Sequence, residues 1–345
     1  MSTGESGLLD LDHVSKRFKT GAFAAGEVVA VDDVSFSIRP REITALVGES
    51  GSGKSTIGRM ILRLTSTSAG SIRFHGDNIA SLRRSHLKAY YRRVQGVFQD
   101  PFSSYNPIFK ADRVFTIIHK EYFSDVASGE WQERVESSLR SVALNPRDVL
   151  NKFPHQLSGG QLQRLLVARA LLLDIELLIA DEIISMLDAS TRIDVLNLLG
   201  DLRRRGLSVL FVTHDLSLAN YIADRTIILR RGRIVEMGET AKVFGNPQHP
   251  YTQALLRAVP RLDERWVTPA SGPRAGDRSS PAPAPAPAQS PPSRRYSRSA
   301  LHPRRWPSPP SPAPGERVLE HRLPLLEVEA EHFVASEQPV EDLRP

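Results

Sequence analysis

Four short apolar runs recur along the first 267 residues, and each ends in polar residues. Residues 42–47 lead into a glycine-rich turn, and 177–180 end in Asp181 and Glu182. Residues 209–213 end in His214 and Asp215, and 226–229 turn at Arg231 and Gly232. Short runs without polar alternation predict strands covered on both faces, as in a parallel sheet. Helical spacing marks the segments between them: 56–64, then 162–173, then 190–204 with Leu196, Leu199 and Leu202 on one side. The expected class is α/β. In open sheets of this kind ligands bind at the carboxyl ends of the strands, where every polar group just named falls.

Composition changes that picture at one end. Of 25 prolines, 17 lie in 268–345. Alternating Pro and Ala across 281–287 favours an extended chain with little to bury, so 268–315 is expected to be disordered. The expected division is a domain over 1–267 and a Pro-rich, mostly disordered tail over 268–345, with 323–334 apolar enough to dock. Cysteine is absent, which excludes disulfides, thiolate catalysis and Cys-ligated zinc or iron–sulfur centres. The 45 basic and 39 acidic side chains leave a net charge of +6, too small to argue for nucleic acid, and no nucleic-acid partner is expected. No apolar run reaches the ~18 residues of a membrane span. The first residues lack the apolar core of a secretory signal.

Candidate chemistry begins after the first run. Gly48, Glu49, Ser50, Gly51, Ser52, Gly53, Lys54 and Ser55 have the P-loop spacing of glycine, four residues, glycine, lysine and hydroxyl, and Thr56 opens a helical segment. Glycines let the backbone wrap a phosphate with its N–H groups, Lys54 adds a full charge for the β/γ oxygens, and Ser55 offers an oxygen to Mg2+. Asp181 would hold magnesium from the other side, and Glu182 would polarise the attacking water as general base. The plainer alternatives are a glycine-rich turn, two solvated acids at a strand end, and a structural histidine at 214.

Leu157, Ser158, Gly159, Gly160 and Gln161, lying between the P-loop and Asp181, narrow the reading. In this order the set resembles the ABC-type ATPases over about residues 8–267. The resemblance implies a RecA-like core with an antiparallel β-subdomain and a helical subdomain inserted near 101–165. It implies that Gln99, in the Val97 to Pro101 stretch, senses magnesium and the γ-phosphate and couples to a membrane partner, that His214 is the switch histidine, and that Asp188 closes the D-loop. It implies a head-to-tail dimer in which ATP and Mg2+ are clamped between one subunit's P-loop and the other's signature, Leu157 to Gln161. The adenine is expected to stack on Phe18, with Phe23 as the alternative. The family usually has Pro-Thr where this chain has Ile183 and Ile184, so a D-loop altered in geometry more than in chemistry is expected.

Two further stretches resemble the oligopeptide/dipeptide importer subfamily: Phe98 to Pro107, and Val243 to Pro260. That resemblance implies a peripheral ATPase on the cytoplasmic face of the cell membrane. Its partners would be two permease subunits and a second ATP-binding subunit, a copy or a paralogue, with an extracytoplasmic solute-binding protein acting indirectly. Members also import oligosaccharides or nickel, and Met186 to Arg192 is similar to members serving sugars. The rivals of another kind are a soluble ABC ATPase acting on DNA or ribosomes, and a catalytically weak partner that only binds ATP. Members often carry a His-Pro-Arg-Cys region, which in some holds an iron–sulfur cluster. Here His302 to Trp306 stands in its place without cysteine, while 324–334 still resembles the family's last segment. A chain ending at Val267 is expected to behave nearly as the whole.

Overall fold

The structure is a computed structural model that describes residues 7–20, 26–185, 187–258 and 324–335. These form twelve strands: β1 (Leu9–Thr20), β2 (Gly26–Ile38), β3 (Ile43–Val47), β4 (Ala69–Phe74), β5 (Asp77–Asn78), β6 (Val94–Val97), β7 (Leu177–Asp181), β8 (Ser208–Thr213), β9 (Arg225–Arg230), β10 (Arg233–Glu239), β11 (Leu325–Glu329) and β12 (His332–Ala335). Ten α-helices accompany them: α1 (Lys54–Ile61), α2 (Arg84–Arg93), α3 (Arg113–Tyr122), α4 (Ser128–Ser141), α5 (Pro146–Val149), α6 (Gly159–Leu171), α7 (Ala189–Arg204), α8 (Leu216–Ile222), α9 (Thr240–Gly245) and α10 (Pro250–Arg257). None of the described helices is long and apolar enough to cross a membrane.

The four apolar runs are β3, β7, β8 and β9. They sit in an eight-stranded sheet of order β11-β12-β10-β9-β3-β8-β7-β6, whose stretch from β9 to β6 is parallel. An unbroken apolar run still obeys the two-residue period of a strand. Along β8, Val209 and Phe211 join the core on one face with α6 and α7, while Leu210 and Val212 join the core on the other with α1. Burial on both sides, rather than alternation, is what the run encodes. The second face is closed by an antiparallel sheet, β2-β1-β4-β5, whose Leu9, Val31, Val34 and Ile72 meet Ile57 and Ile61 of α1.

Helices α3 to α5 fall in the stretch expected to be a helical insertion. Phe115, Trp131, Val135 and Leu139 join them to Leu162 and Leu165 of α6 in one core. Helices α6 and α7 begin earlier than their apolar spacing suggests, because caps rather than apolar residues start them. Ser158 Oγ accepts the Gln161 N–H at 3.1 Å and Gln161 Oε1 accepts the Ser158 N–H at 2.9 Å, a reciprocal capping box. Asp188 Oδ1 accepts the Thr191 N–H at 3.0 Å and starts α7.

The carboxyl-terminal stretch corrects one expectation. Residues 324–335 fall in the part assigned to the tail, yet they form the hairpin β11–β12, and β12 pairs antiparallel with β10 from Glu236↔Val334 to Gly238↔His332. The hairpin belongs to the same compact unit as residues 1–259. Apolar positions Leu325 and Val334 face the body, and polar contacts fix the register. His332 Nε2–H donates to Glu236 Oε1 at 2.7 Å with both side chains fully buried. Arg39 grips Glu331 through both guanidinium nitrogens at 2.6 and 3.1 Å and holds its carboxyl below the usual range. The expectation for 268–315 lies outside the described residues.

Removing the hairpin therefore strips a buried carboxylate of a partner. In place of near-indifference, truncation after Val267 is expected to lower stability by about 1–3 kcal/mol, read as a lower urea midpoint at unchanged slope.

Candidate functional site

Strand register sets which loops meet. In the parallel ladder Val47 of β3 lies opposite Thr213 of β8, and Asp181 of β7 lies opposite Val212. The residues that follow, Gly48, Glu182 and His214, emerge at one edge of the sheet. Glu182 is fixed there by its backbone. Its N–H donates to Val212 O at 2.9 Å, and its carbonyl accepts from the Ser185 N–H at 3.1 Å and hydroxyl at 2.9 Å. These bonds hold it at φ 50°, a left-handed conformation that a non-glycine residue keeps only when its surroundings impose it.

The glycine-rich loop spans β3 and α1. Gly53 stands just before α1 at φ 105°, and a Cβ there would lie 2.3 Å from Ala30 O of β2. Lys54 is nearly fully buried, and its ammonium donates to the carbonyls of Gly48 at 2.7 Å and Glu49 at 2.8 Å. Burial pushes its pKa down, opposed by Glu182, Asp181 and Glu49. Ser55 Oγ donates to Asp181 Oδ1 at 3.1 Å. Burial raises the Asp181 pKa, and the Ser55 bond works against it. Glu49, Ser50 and Gly51 are exposed, while Ser52 Oγ is buried in the loop without a partner. Thr56 continues α1 half-buried.

Beside the loop, His214 Nδ1 lies 3.2 Å from Glu182 Oε1. Gln99 is exposed beyond β6, and among the described residues no hydrogen bond joins it to Ser55 or Asp181. The stretch before it is tied to α6, since Gln163 Nε2 donates to Phe98 O at 3.4 Å and Arg169 to Gly96 O at 3.0 Å. Leu157 is buried in the core and Ser158 is exposed. Asp188 is fully engaged by its own helix, its carboxylate accepting from Ser190 and Thr191, which holds its pKa well below the usual range. Ile183 and Ile184 are buried with Leu187 and Val195 in the core.

Phe18 is 41% exposed on β1, with Lys16 Nζ 5.0 Å from its ring centre. Its neighbour pair Lys16↔Val31 brings β1 close to the loop, because Val31 Cγ2 lies 3.3 Å from the Cβ position of Gly53. Phe23 lies outside the described residues. Two contacts with the loop come from residues to which the sequence reading gave no part in it. The Gly232 N–H donates to Ser52 O at 2.9 Å, and the Glu49 N–H donates to the Tyr251 hydroxyl at 3.2 Å. Arg231 and Gly232 read only as a turn between strands. Tyr251 sits inside the His-Pro-Tyr stretch, whose repeat in a subfamily is the one sign that it touches something.

Fold and site together define a P-loop nucleotide-binding protein. Residues 31–185 match the family described as ABC transporter, and 235–283 match the one described as oligopeptide/dipeptide transporter, C-terminal region. The oligopeptide transport ATP-binding protein OppF of Bacillus subtilis is 42% identical over 261 residues, 74% of this chain and 83% of that protein. Its namesake from Streptococcus mutans is 41% identical over 267 residues, 76% of this chain and 85% of that one. Among solved structures, the dimeric post-hydrolysis state of the ATP-binding cassette MJ0796 with ADP and Pi superposes with a TM-score of 0.61 at 29% identity, over 67% of this chain and 98% of that one. The chain belongs to the ABC transporter family of ATPases.

Gly53→Ala is expected to cost at least about 1–2 kcal/mol in backbone strain alone and to abolish nucleotide binding, checked by urea unfolding beside a fluorescent-nucleotide titration.

Proposed function

We propose that this chain is the ATP-hydrolysing subunit that powers import of peptides across the cytoplasmic membrane. The observation that carries the reading is the meeting of Lys54, Asp181, Glu182 and His214 at the carboxyl ends of β3, β7 and β8, beside the glycine-rich loop that leads into α1. Ser52 Oγ, buried there without a partner, fits a loop shaped around a polar ligand. Peptides as cargo are supported by the match over 235–283 and by the relatives named for oligopeptide transport.

In this reading Lys54 leaves its two loop carbonyls for the β/γ oxygens of ATP. Glu182 takes a proton from the attacking water as its oxygen bonds to the γ-phosphorus and the bond to the departing ADP breaks, and His214, 3.2 Å from the carboxylate, keeps Glu182 oriented. Ser55 Oγ and Asp181 Oδ1 are hard oxygen donors 3.1 Å apart, a set that suits Mg2+ completed by phosphates and water. Among the described residues no group of three or more His, Asp or Glu converges as a metal cage, as expected for an ion held largely by its nucleotide. When bound, the ion neutralises charge on the phosphate oxygens. Gln99, exposed beyond β6 and unbonded to Ser55 or Asp181, would join this set only by turning inward.

Ser158 and the two glycines head a helix whose positive end suits an anion. A Cβ at Gly160 would strike Thr191 at 2.8 Å, whereas one at Gly159 meets nothing within 4 Å. Packing within this chain thus explains Gly160, while the space beside Gly159 is open to a close approach from outside. That fits a head-to-tail dimer with the ATP of a second subunit clamped here, and Phe18, 41% exposed on β1, would be the adenine platform. Ile183 and Ile184 only fill core, so the altered D-loop leaves the carboxylates free to act, which favours a working ATPase over a merely binding partner.

The permeases would dock on the apolar surface beyond β6. Phe102, Ile108, Phe109 and Ile117 are 48%, 76%, 41% and 52% exposed, four large apolar side chains within sixteen residues of sequence that a docked partner would cover. Docking there sets the chain on the cytoplasmic membrane face.

Glu182→Gln is expected to retain ATP binding and lower steady hydrolysis by about 10²–10⁴-fold, trapping a closed dimer visible by size-exclusion chromatography; hydrolysis at the wild-type rate would remove Glu182 from the role of base. Replacing Ile108 and Phe109 by Asp is expected to lose the permeases from a tagged pull-down without loss of ATP binding. In the wild-type pull-down, a co-purifying solute-binding protein that carries sugar or nickel instead of peptide would overturn the cargo.

A further inference from the structure

The carboxyl-terminal stretch that marks the subfamily takes no part in the chemistry above, yet it reaches the P-loop. The peptide joining Gly48 to Glu49 is held from both sides. Its carbonyl accepts from Lys54 Nζ at 2.7 Å and its N–H donates to the Tyr251 hydroxyl at 3.2 Å. Tyr251 is itself fixed. Its ring is nearly buried, with the Arg230 guanidinium 4.8 Å from the ring centre, and its N–H donates to His249 Nδ1 at 3.1 Å in the first turn of α10. Burial raises the pKa of the phenol, so it keeps its proton.

The approach to α10 is fixed in turn by Glu236. This fully buried carboxylate accepts the Gln248 N–H at 2.9 Å through Oε1 and the His249 N–H at 3.0 Å through Oε2. The third bond to it comes from His332 of the β11–β12 hairpin, at 2.7 Å. An unbroken series of contacts therefore runs from the hairpin through Glu236 and the 248–251 stretch to the first peptide of the P-loop.

We propose that Tyr251 is a positioning residue of the P-loop, and that residues 248–251 form a strut whose far end is anchored by His332. The proposal rests on the nucleotide site assigned above. When Lys54 turns to phosphate, the 48–49 peptide loses the ammonium on its carbonyl side and keeps the Tyr251 hydroxyl on the other. That bond then holds the start of the loop in the shape that directs the following N–H groups inward. Its contribution falls on nucleotide capture more than on the bond-breaking step.

The test is MgATP binding and steady-state hydrolysis by the full-length chain assembled with its permeases, together with thermal unfolding. Tyr251→Phe removes the hydroxyl and leaves the ring under Arg230. It is expected to raise KM and Kd for ATP about three- to tenfold, the worth of one net hydrogen bond, with kcat retained and the nucleotide-free melting temperature lowered by no more than the few degrees that one hydrogen bond carries. A wild-type KM, or a lowered melting temperature with no change in KM, would overturn the positioning role. His332→Ala is expected to raise KM in the same direction, and His332→Gln, which keeps a donor, to restore it. The double variant with Tyr251→Phe should do no more than the larger single change, since both act through one strut; additive effects, or a wild-type KM for His332→Ala, would overturn the anchoring by the hairpin. Lys54→Ala serves as the control. ATP binding that survives it would count against the nucleotide site itself, whatever Tyr251→Phe does.

Discussion

The register of three parallel strands carries the site. Val47 faces Thr213 and Asp181 faces Val212, and from that alignment the P-loop, Glu182 and His214 leave the sheet at one level. A slip of one residue in β7 or β8 would exchange the two faces of the strand, carrying Phe211 out of one core and Val212 out of the other. The geometry at the strand ends is thus protected by apolar packing on both sides of the sheet. Polar contacts then act locally. Backbone bonds hold Glu182 in its left-handed turn, and Ser55 bridges to Asp181.

Much of this was legible in the sequence because its signals are local. A buried strand is a short unbroken apolar run, a P-loop is eight contiguous residues, and a helix start is a Ser or Asp followed by its own cap three residues on. Roles for Gln99, Leu157 to Gln161, Asp188 and His214 came from the resemblance to ABC ATPases rather than from periodicity, and of these the structure sets His214 beside Glu182 and leaves Gln99 exposed and apart. What escaped were pairings between distant segments. Neither the sequence around Gly232 nor that around Tyr251 says that it touches residues 48–52. The hairpin escaped for the same reason, although 323–334 stood out as apolar enough to dock. Its partners, Arg39 and Glu236, lie 292 and 96 residues away along the chain, and a proline-rich composition hid them.

The isoleucine pair after Glu182 shows how a departure from a family's pattern can be absorbed. Both side chains point into the core shared by α6 and α7, and Asp188 still caps α7 with every acceptor engaged. Apolar burial anchors the segment between Glu182 and Asp188 on the inside. Its shape is set by packing against Leu187 and Val195 rather than by a rigid proline.

The hairpin also has a consequence for how the chain is made. Until β12 arrives, β10 is the open rim of the large sheet, a row of unpaired N–H and C=O groups. His332 leaves the ribosome 96 residues after its partner Glu236, a delay of about 5–20 s at ordinary elongation rates. During that interval the nucleotide-binding half can already be folded, with an adhesive border and an incompletely paired acid. Among the described residues β12 is the last strand to be synthesised, and its pairing covers β10 and leaves the shorter β11 outermost, so premature termination yields a chain that presents β10 itself where strands from other chains can add.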